Sequence, residues 1–361
     1  MAPPSCLRAF VPLSLPFRML ASSARRPSRI DELISPALSA RLDRLDVLSR
    51  RVFAGKMHGE RRSKRRGQSV EFADYRNYVP GDDLRRIDWN VFARLDRFFI
   101  RIFQEEEDLA LHVVLDASPS MDAGGPTAEA GNKLLFAQRL AMALAYIGLV
   151  NNNRVYMSVF DNRSLRRLAP VRGRRNVQRV AGFLIDALRG PATGVLEEDV
   201  ERTALVGGGG KGDFTSALKA IALSRTGKGV MVVLSDFLIP EGYQEGLRYL
   251  AGAGGTGGGY DTYCLQILSP GELDPSKAGG SGDGEDPILG DLRLMDVETG
   301  KAAEVTITAE LLAKYRAAVD RYTSELKAYA TARGMSYALV RSDTDMETLL
   351  LDYLRRRGLL R

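Results

Sequence analysis

The sequence predicts an α/β fold, a doubly wound and mostly parallel sheet, on three observations. Residues 109–115 and 229–235 are apolar, valine-rich runs that read as strands buried on both faces. Each run leads straight into an aspartate, Asp116 and Asp236. Around them, strand-like runs alternate with segments of helical periodicity, the order that builds a parallel sheet covered by helices.

Taken in order, residues 1–29 carry Pro, Ser and Arg without apolar periodicity and are expected to be disordered. An N-terminal segment, 30–108, follows. In it Leu33, Ile34, Leu38, Leu42, Leu45 and Leu48 recur at helical spacing, as one amphipathic helix or two short ones. Pro80-Gly81 marks a turn, and 97–104 reads as a short strand. The acidic run 105–108 reads as a solvated strand entry. Residues 109–358 form the α/β domain. Helices are expected over 132–150, 176–188, 213–224, 241–251, 309–332 and 346–357. Strands are expected over 154–160, 164–171 (a short edge strand), 263–268 and 336–341. Residues 189–212 read as loop, with Asp213 as the N-cap of the helix that follows. An insertion near 270–308 combines a Gly/Pro/Asp-rich mobile loop with a β-hairpin turning on Glu298-Thr-Gly-Lys301.

Composition narrows the function classes. The chain has 361 residues, 45% hydrophobic and 27% charged, ordinary for a soluble globular protein. No apolar run approaches the ~20 residues of a membrane helix. The opening 1–20 is broken by Arg8, Arg18 and prolines and makes a poor signal peptide. It reads as a tail, or as an extension upstream of a start at Met19. Two cysteines, Cys6 and Cys264, argue against a disulfide framework or a cysteine-rich zinc site and fit a reducing cytoplasm, the expected location. The net charge of +6 is uneven: residues 1–66 hold 15 Lys/Arg against 5 Asp/Glu, which leaves the remainder slightly acidic. The densest part, Arg61-Arg-Ser-Lys-Arg-Arg66, reads as a solvated loop or a contact for an acidic protein, in preference to nucleic acid or an anionic lipid surface.

The chemistry concentrates after the first apolar run, in Asp116-Ala-Ser118-Pro-Ser120-Met121. One carboxylate and two hydroxyls on a tight loop at the carboxyl end of a strand are hard oxygen ligands where open sheets bind ligands. If the two apolar strands are neighbours, Asp116 and Asp236 meet at one sheet edge. Two like charges ~4 Å apart repel by ~4 kcal/mol at an effective dielectric of 20, and Mg²⁺ or Mn²⁺ removes that penalty. A purely structural role, with the loop residues capping the chain that follows, is the competing reading.

At these residues the chain resembles the von Willebrand factor A fold with its metal-ion-dependent adhesion site. More narrowly it resembles the bacterial DUF58 family. The carriers are Tyr75-Arg-Asn-Tyr-Val-Pro-Gly-Asp-Asp-Leu-Arg-Arg-Ile-Asp-Trp89 with Ala93-Arg94, the Asp116–Met121 loop, and Val233-Leu-Ser-Asp236. The resemblance runs from about residue 35 onward. It implies that Asp116, Ser118, Ser120 and Asp236 ligate the metal, directly or through water. It also implies that a partner protein's carboxylate completes the shell and that a MoxR-type AAA+ ATPase is a partner. The wider family usually places a Thr before the third helix, where this chain has Gly212, so Thr215 or Asp213 is left to take that place. An Asp there would make the metal a poorer acceptor of a partner carboxylate. Trp89, Tyr75, Tyr78 and Phe92 are expected to pack the first motif onto the α/β domain.

Competing motifs fail on context. Gly252-Ala-Gly254-Gly-Thr-Gly257 follows a helix and precedes a strand, the reverse of a dinucleotide site. Gly210-Lys211 has Gly212 where a phosphate-binding loop needs Ser or Thr, and Leu205 where it needs its first Gly. His58 and His112 are far apart, and His112 reads as core. The expectation is a non-enzymatic, divalent-metal-dependent protein-binding module. The alternative is a metal-dependent phosphoester hydrolase using Asp116 and Asp236. Against that alternative, Asp-x-Ser-x-Ser lacks the second aspartate that Asp-x-Asp phosphotransferases use.

Overall fold

The computed structural model describes residues 8–12, 25–47, 72–79, 84, 87–103, 109–189, 200–205, 214–225, 228–252, 260–275, 290–295 and 302–361. The chain divides into two units, one of residues 1–51 with 109–361 and one of 52–108.

The first unit begins with β1 (Arg8–Pro12), α1 (Ile30–Leu33) and α2 (Pro36–Leu42). Pro36 splits the periodic stretch into two short helices, and Ser35 caps the second by accepting from the Leu38 N–H. In the second unit lie β2 (Phe72–Asn77), α3 (Trp89–Leu95) and β3 (Phe99–Phe103). The first unit resumes with β4 (Ala110–Asp116), α4 (Lys133–Val150), β5 (Arg154–Phe160), β6 (Ser164–Val171), α5 (Val177–Arg189) and β7 (Val200–Ala204). Then come α6 (Phe214–Leu223), β8 (Gly229–Ser235), α7 (Gln244–Gly252), β9 (Tyr260–Leu268) and α8 (Pro270–Leu273). The chain closes with β10 (Gly290–Met295), β11 (Ala302–Ile307), α9 (Ala309–Ala332), β12 (Ser336–Arg341) and α10 (Met346–Thr348), which runs on as a π-helical turn, Leu349–Leu354.

Seven strands form the central sheet in the order β12-β9-β8-β4-β5-β6-β7. The five from β12 to β5 are parallel, and β6 is antiparallel to both its neighbours. This is a mixed α/β protein with a mostly parallel central sheet. Every residue of β4, β8 and β9 is buried, as their continuous apolar runs require. Strand alternation sends Val114 to one face, where it joins a core with Phe214 and Leu218 of α6, Leu247 of α7 and Leu326 of α9. On the other face α4 lies so close that a Cβ on Gly148 would stand 2.8 Å from Leu111 and 2.9 Å from Val155. That helix is mostly apolar, and nearly all of it is buried. By length and composition it could span a membrane, but 89% of it lies inside the protein, as in a core helix.

Three tyrosines on one face of α9, seven residues apart, tie it to the sheet's site-bearing end. Tyr315 donates to the Glu272 carbonyl (2.9 Å), Tyr322 to the Phe237 carbonyl (2.6 Å) and Tyr329 to the Gln244 carbonyl (2.6 Å).

Several expectations are corrected. One edge of the sheet is β7, in a stretch read as loop, so β6, expected as a short edge strand, lies inside the sheet. The Val-Glu-Arg-Thr-Ala sequence of β7 is charged because an edge strand meets solvent. Within the stretch expected to be disordered, β1 pairs antiparallel with β10, extending the expected hairpin of β10 and β11 to three strands. In the second unit, the aromatic residues expected to be buried are not. Trp89 is 60% exposed and Tyr75 is also exposed. They satisfy one another instead, with Phe92 stacked on Phe98 (centroids 4.4 Å) and Trp89 edge-on to both. Asp88 is buried there with Ile87 and Ile100, capping α3 and accepting from the Tyr75 hydroxyl at 2.8 Å. The turn at 80–81, the basic run 61–66 and the acidic run 105–108 lie outside the described residues, as do Cys6 and His58.

Candidate functional site

The site forms where β4 and β8 end side by side. Their register runs in parallel up to Leu115 opposite Leu234, so Asp116 and the Ser235-Asp236 pair emerge at one edge. Asp116 is fully buried. Its Oδ1 accepts the Ser118 N–H at 2.9 Å, closing the tight turn that the sequence loop requires. Its Oδ2 accepts the Ser235 hydroxyl at 2.6 Å, a bond that ties the two strand ends together. A 3₁₀ turn, Pro119–Met121, then brings Ser120 back over Ser118, and their hydroxyl oxygens lie 2.8 Å apart. Both serines are buried.

Asp236 is equally buried. Its Oδ1 accepts the Leu238 N–H (3.1 Å), and its carbonyl accepts from Gln266 of β9 (2.8 Å). The next residue, Phe237, is held at φ +54°, a left-handed conformation that costs a bulky side chain roughly 1–3 kcal/mol. The surroundings impose it: the Phe237 ring is buried edge-on to Phe214, its N–H donates to Ser235 Oγ, and its carbonyl accepts from Tyr322.

The structure adds two residues that the motif reading lacks. Lys133, the first residue of α4, has a fully buried side chain. Its ammonium donates to Asp236 Oδ2 at 2.8 Å and to Glu272 Oε1 at 2.6 Å. Glu272 is fixed in turn. Its Oε2 accepts the N–H (2.9 Å) and hydroxyl (3.0 Å) of Ser269 in a capping box that starts α8. Glu272 falls in the stretch expected to be a mobile loop. Asn132 caps α4 and also donates to Asp122, which pairs with Arg26 at 2.7 Å, so the start of the first unit is pinned to the serine loop.

The electrostatics follow from burial. Desolvation, then the neighbouring Asp236, pushes Asp116 up to about 7, against the hydrogen bonds from Ser235 and Ser118 that favour its anion. Four of the five expected ligands, Asp116, Ser118, Ser120 and Asp236, are thus brought to one sheet edge. Thr215 sits half-buried on the first turn of α6 and is not among the residues this hydrogen-bond network joins. Asp213 and the glycine run 206–212 lie outside the described residues. Among the described residues, no three His, Cys, Asp or Glu side chains converge as a ready metal cage. An ion here would take hydroxyls, and water, for much of its shell. His112 is core, as expected: it is buried, stacked on Tyr156 (centroids 4.1 Å) and bonded to the Tyr260 hydroxyl at 3.2 Å.

The fold and site therefore define a class: a mixed α/β protein with a carboxylate and hydroxyl cluster at the carboxyl edge of a mostly parallel sheet. Within that class the chain belongs to the DUF58 family, described as "Protein of unknown function DUF58", which matches residues 74–325. It is similar to the uncharacterized protein Rv1480 of Mycobacterium tuberculosis and to the uncharacterized protein Mb1516 of Mycobacterium bovis. Each is 24% identical over 331 residues, 91% of this chain and 93% of the relative. It is also similar to the uncharacterized protein MAV169 of Mycobacterium avium, 27% identical over 154 residues, 42% of this chain and 81% of the relative.

Proposed function

We propose that this chain is a non-enzymatic, divalent-metal-dependent protein-binding module. Its fold is of the von Willebrand factor A type and its site is a metal-ion-dependent adhesion site. The observation that carries the reading is the meeting of two fully buried aspartates with two serine hydroxyls 2.8 Å apart. The donors suit a hard divalent cation, with Asp116, Ser118, Ser120 and Asp236 as the holding residues and Thr215 as a further candidate. Bound there, Mg²⁺ or Mn²⁺ supplies a Lewis-acidic position for a carboxylate of a partner protein.

The chain's own groups prepare that position. Ser235 and the Ser118 N–H orient Asp116, and the Leu238 N–H orients Asp236, so both carboxylates are set before any ligand arrives. Burial strengthens every charge interaction made there. These fixed carboxylates support a binding role over phosphoester hydrolysis. A MoxR-type AAA+ ATPase is the proposed partner, in complex assembly or maturation in the cytoplasm.

The test is a melting curve with Mg²⁺ and with chelator, joined to a pull-down of the ATPase. Mg²⁺ at ten times its Kd should stabilise the protein by about 1.4 kcal/mol. Ser118→Ala with Ser120→Ala should weaken that response and leave the fold intact, and chelator should release the partner. A melting temperature indifferent to Mg²⁺ and chelator, in protein shown by metal analysis to be empty, ends this reading. Phosphatase turnover lost in Asp116→Ala replaces it with the hydrolase.

A further inference from the structure

We propose that Lys133 is a tethered counter-cation of this site. It competes with the divalent ion for Asp236, and Glu272 is the positioning residue that draws it off when the ion enters. The inference rests on the metal-binding reading of Asp116 and Asp236 and adds a control on it.

Three observations carry it. First, the Lys133 ammonium lies between two carboxylate oxygens at near-equal distances, 2.8 Å to Asp236 and 2.6 Å to Glu272. A shift of the flexible lysine stem toward Glu272 frees Asp236 Oδ2 without moving the backbone of either strand. Second, the side chain has no exposure to solvent, so its charge acts on Asp236 with little screening. A cation so close to a ligand opposes a second cation there. Third, Glu272 is a fixed acceptor. Its Oε2 is held by Ser269, its carbonyl by Tyr315 of α9, and the neighbouring Asp274 pairs with Arg316 at 2.7 Å. The ammonium therefore keeps a partner whether or not it holds Asp236. Affinity for the ion is set by a contest within the chain, and whatever moves α8 relative to β8 changes the outcome.

The experiment measures the Kd of Mn²⁺ alone, by equilibrium dialysis on the full chain, with circular dichroism to confirm folding. Lys133→Met should bind Mn²⁺ at least tenfold tighter than the wild type. Glu272→Gln should bind it several-fold weaker, because the ammonium then stays on Asp236. In the Lys133→Met background, Glu272→Gln should change the Kd less than threefold, since Glu272 acts through the lysine. Wild-type binding that needs Asp116, with a Lys133→Met Kd unchanged or weaker, overturns the counter-cation and leaves the metal site standing. So does a Glu272→Gln effect that persists undiminished without the lysine. If Lys133→Met does not fold, Glu272→Gln alone decides: weaker binding upholds the proposal and an unchanged Kd overturns it. No Mn²⁺ bound by the wild type or by Lys133→Met removes the metal reading and this inference with it.

Discussion

Strand β4 carries two buried ionisable side chains four residues apart on one face of the sheet, and they sit in opposite kinds of environment. Asp116, at the carboxyl end, is surrounded by groups with something to exchange: a second carboxylate, three serine hydroxyls and, one residue removed, a lysine. His112, deeper in the strand, is enclosed by the rings of Tyr156 and Tyr260. Burial disfavours the charged form of both, raising Asp116 to about 7 and lowering His112 to about 3, with Arg225 adding to the second shift. A perturbed group thus marks a site only where its neighbours are polar and convergent. A perturbed group among aromatic rings is packing.

The two ends of β4 should break differently. The largest effect is expected at the site. In metal-free protein, Lys133→Met leaves Asp236 and Glu272 buried without their shared cation, and stability in urea should fall by about 3–5 kcal/mol. A loss under 1 kcal/mol would mean that water or rearrangement already compensates these acids, and the contrast between an ionic end and an aromatic end would fail.

Proton linkage sharpens the contrast, because the two groups have opposite signs. Asp116 has a folded pKa of about 7, above its unfolded value of about 3.8. The native state then holds a proton that the unfolded chain releases, so its contribution is present at low pH and is lost as pH rises toward 7. His112 has a folded pKa of about 3, below its unfolded 6.5. It stays neutral while the unfolded chain takes up a proton, so stability falls as pH falls below 6.5. Each slope is about 1.4 kcal/mol per pH unit where the difference is a full proton. Between about pH 4 and 6.5 they largely cancel in the wild type. In chelator, Asp116→Asn should therefore lose stability on acidification relative to the wild type, and His112→Phe should gain it. Parallel curves for all three proteins would show that neither group is shifted.

How far this was legible in the sequence differs between the parts of the site. Asp116, Ser118, Ser120 and Asp236 could be found because each lies in, or one step beyond, a short local pattern: an apolar strand followed by a small polar turn. The long helix α9 and strand β12 were legible to the residue, since periodicity alone sets them. Lys133 and Glu272 were not, because Lys133 meets Asp236 only across 103 positions of chain and Glu272 only across 139. Two local signals were available. A lysine opens a helix that is otherwise mostly apolar, and Ser269-Pro-Gly-Glu272 has the Ser-x-x-Glu spacing of a capping box, which argues against a mobile loop. The edge strand β7 was hidden for a different reason. Its charged alternation is what an edge needs and what a loop also shows. The exposed Trp89 corrects an inference from residue type alone: a tryptophan needs contact, and stacked rings on the surface of its own unit supply it.

The smallest effect separates the aromatic end from the site at pH 7.5, where His112 is neutral in both folded and unfolded chains and linkage drops out. His112→Phe keeps the ring that stacks on Tyr156 and stands edge-on to Tyr260. It removes the bond to the Tyr260 hydroxyl, a group whose pKa burial already pushes up to about 12. One buried hydroxyl without that partner costs roughly 1 kcal/mol, and the added apolar ring returns part of it. A loss of about 1 kcal/mol or less in urea unfolding is expected, with Mg²⁺ raising the melting temperature of this variant as much as that of the wild type. A variant that unfolds at room temperature, or that loses the Mg²⁺ response while its site residues are intact, would place His112 within the functional cluster and erase the distinction between the two ends of β4.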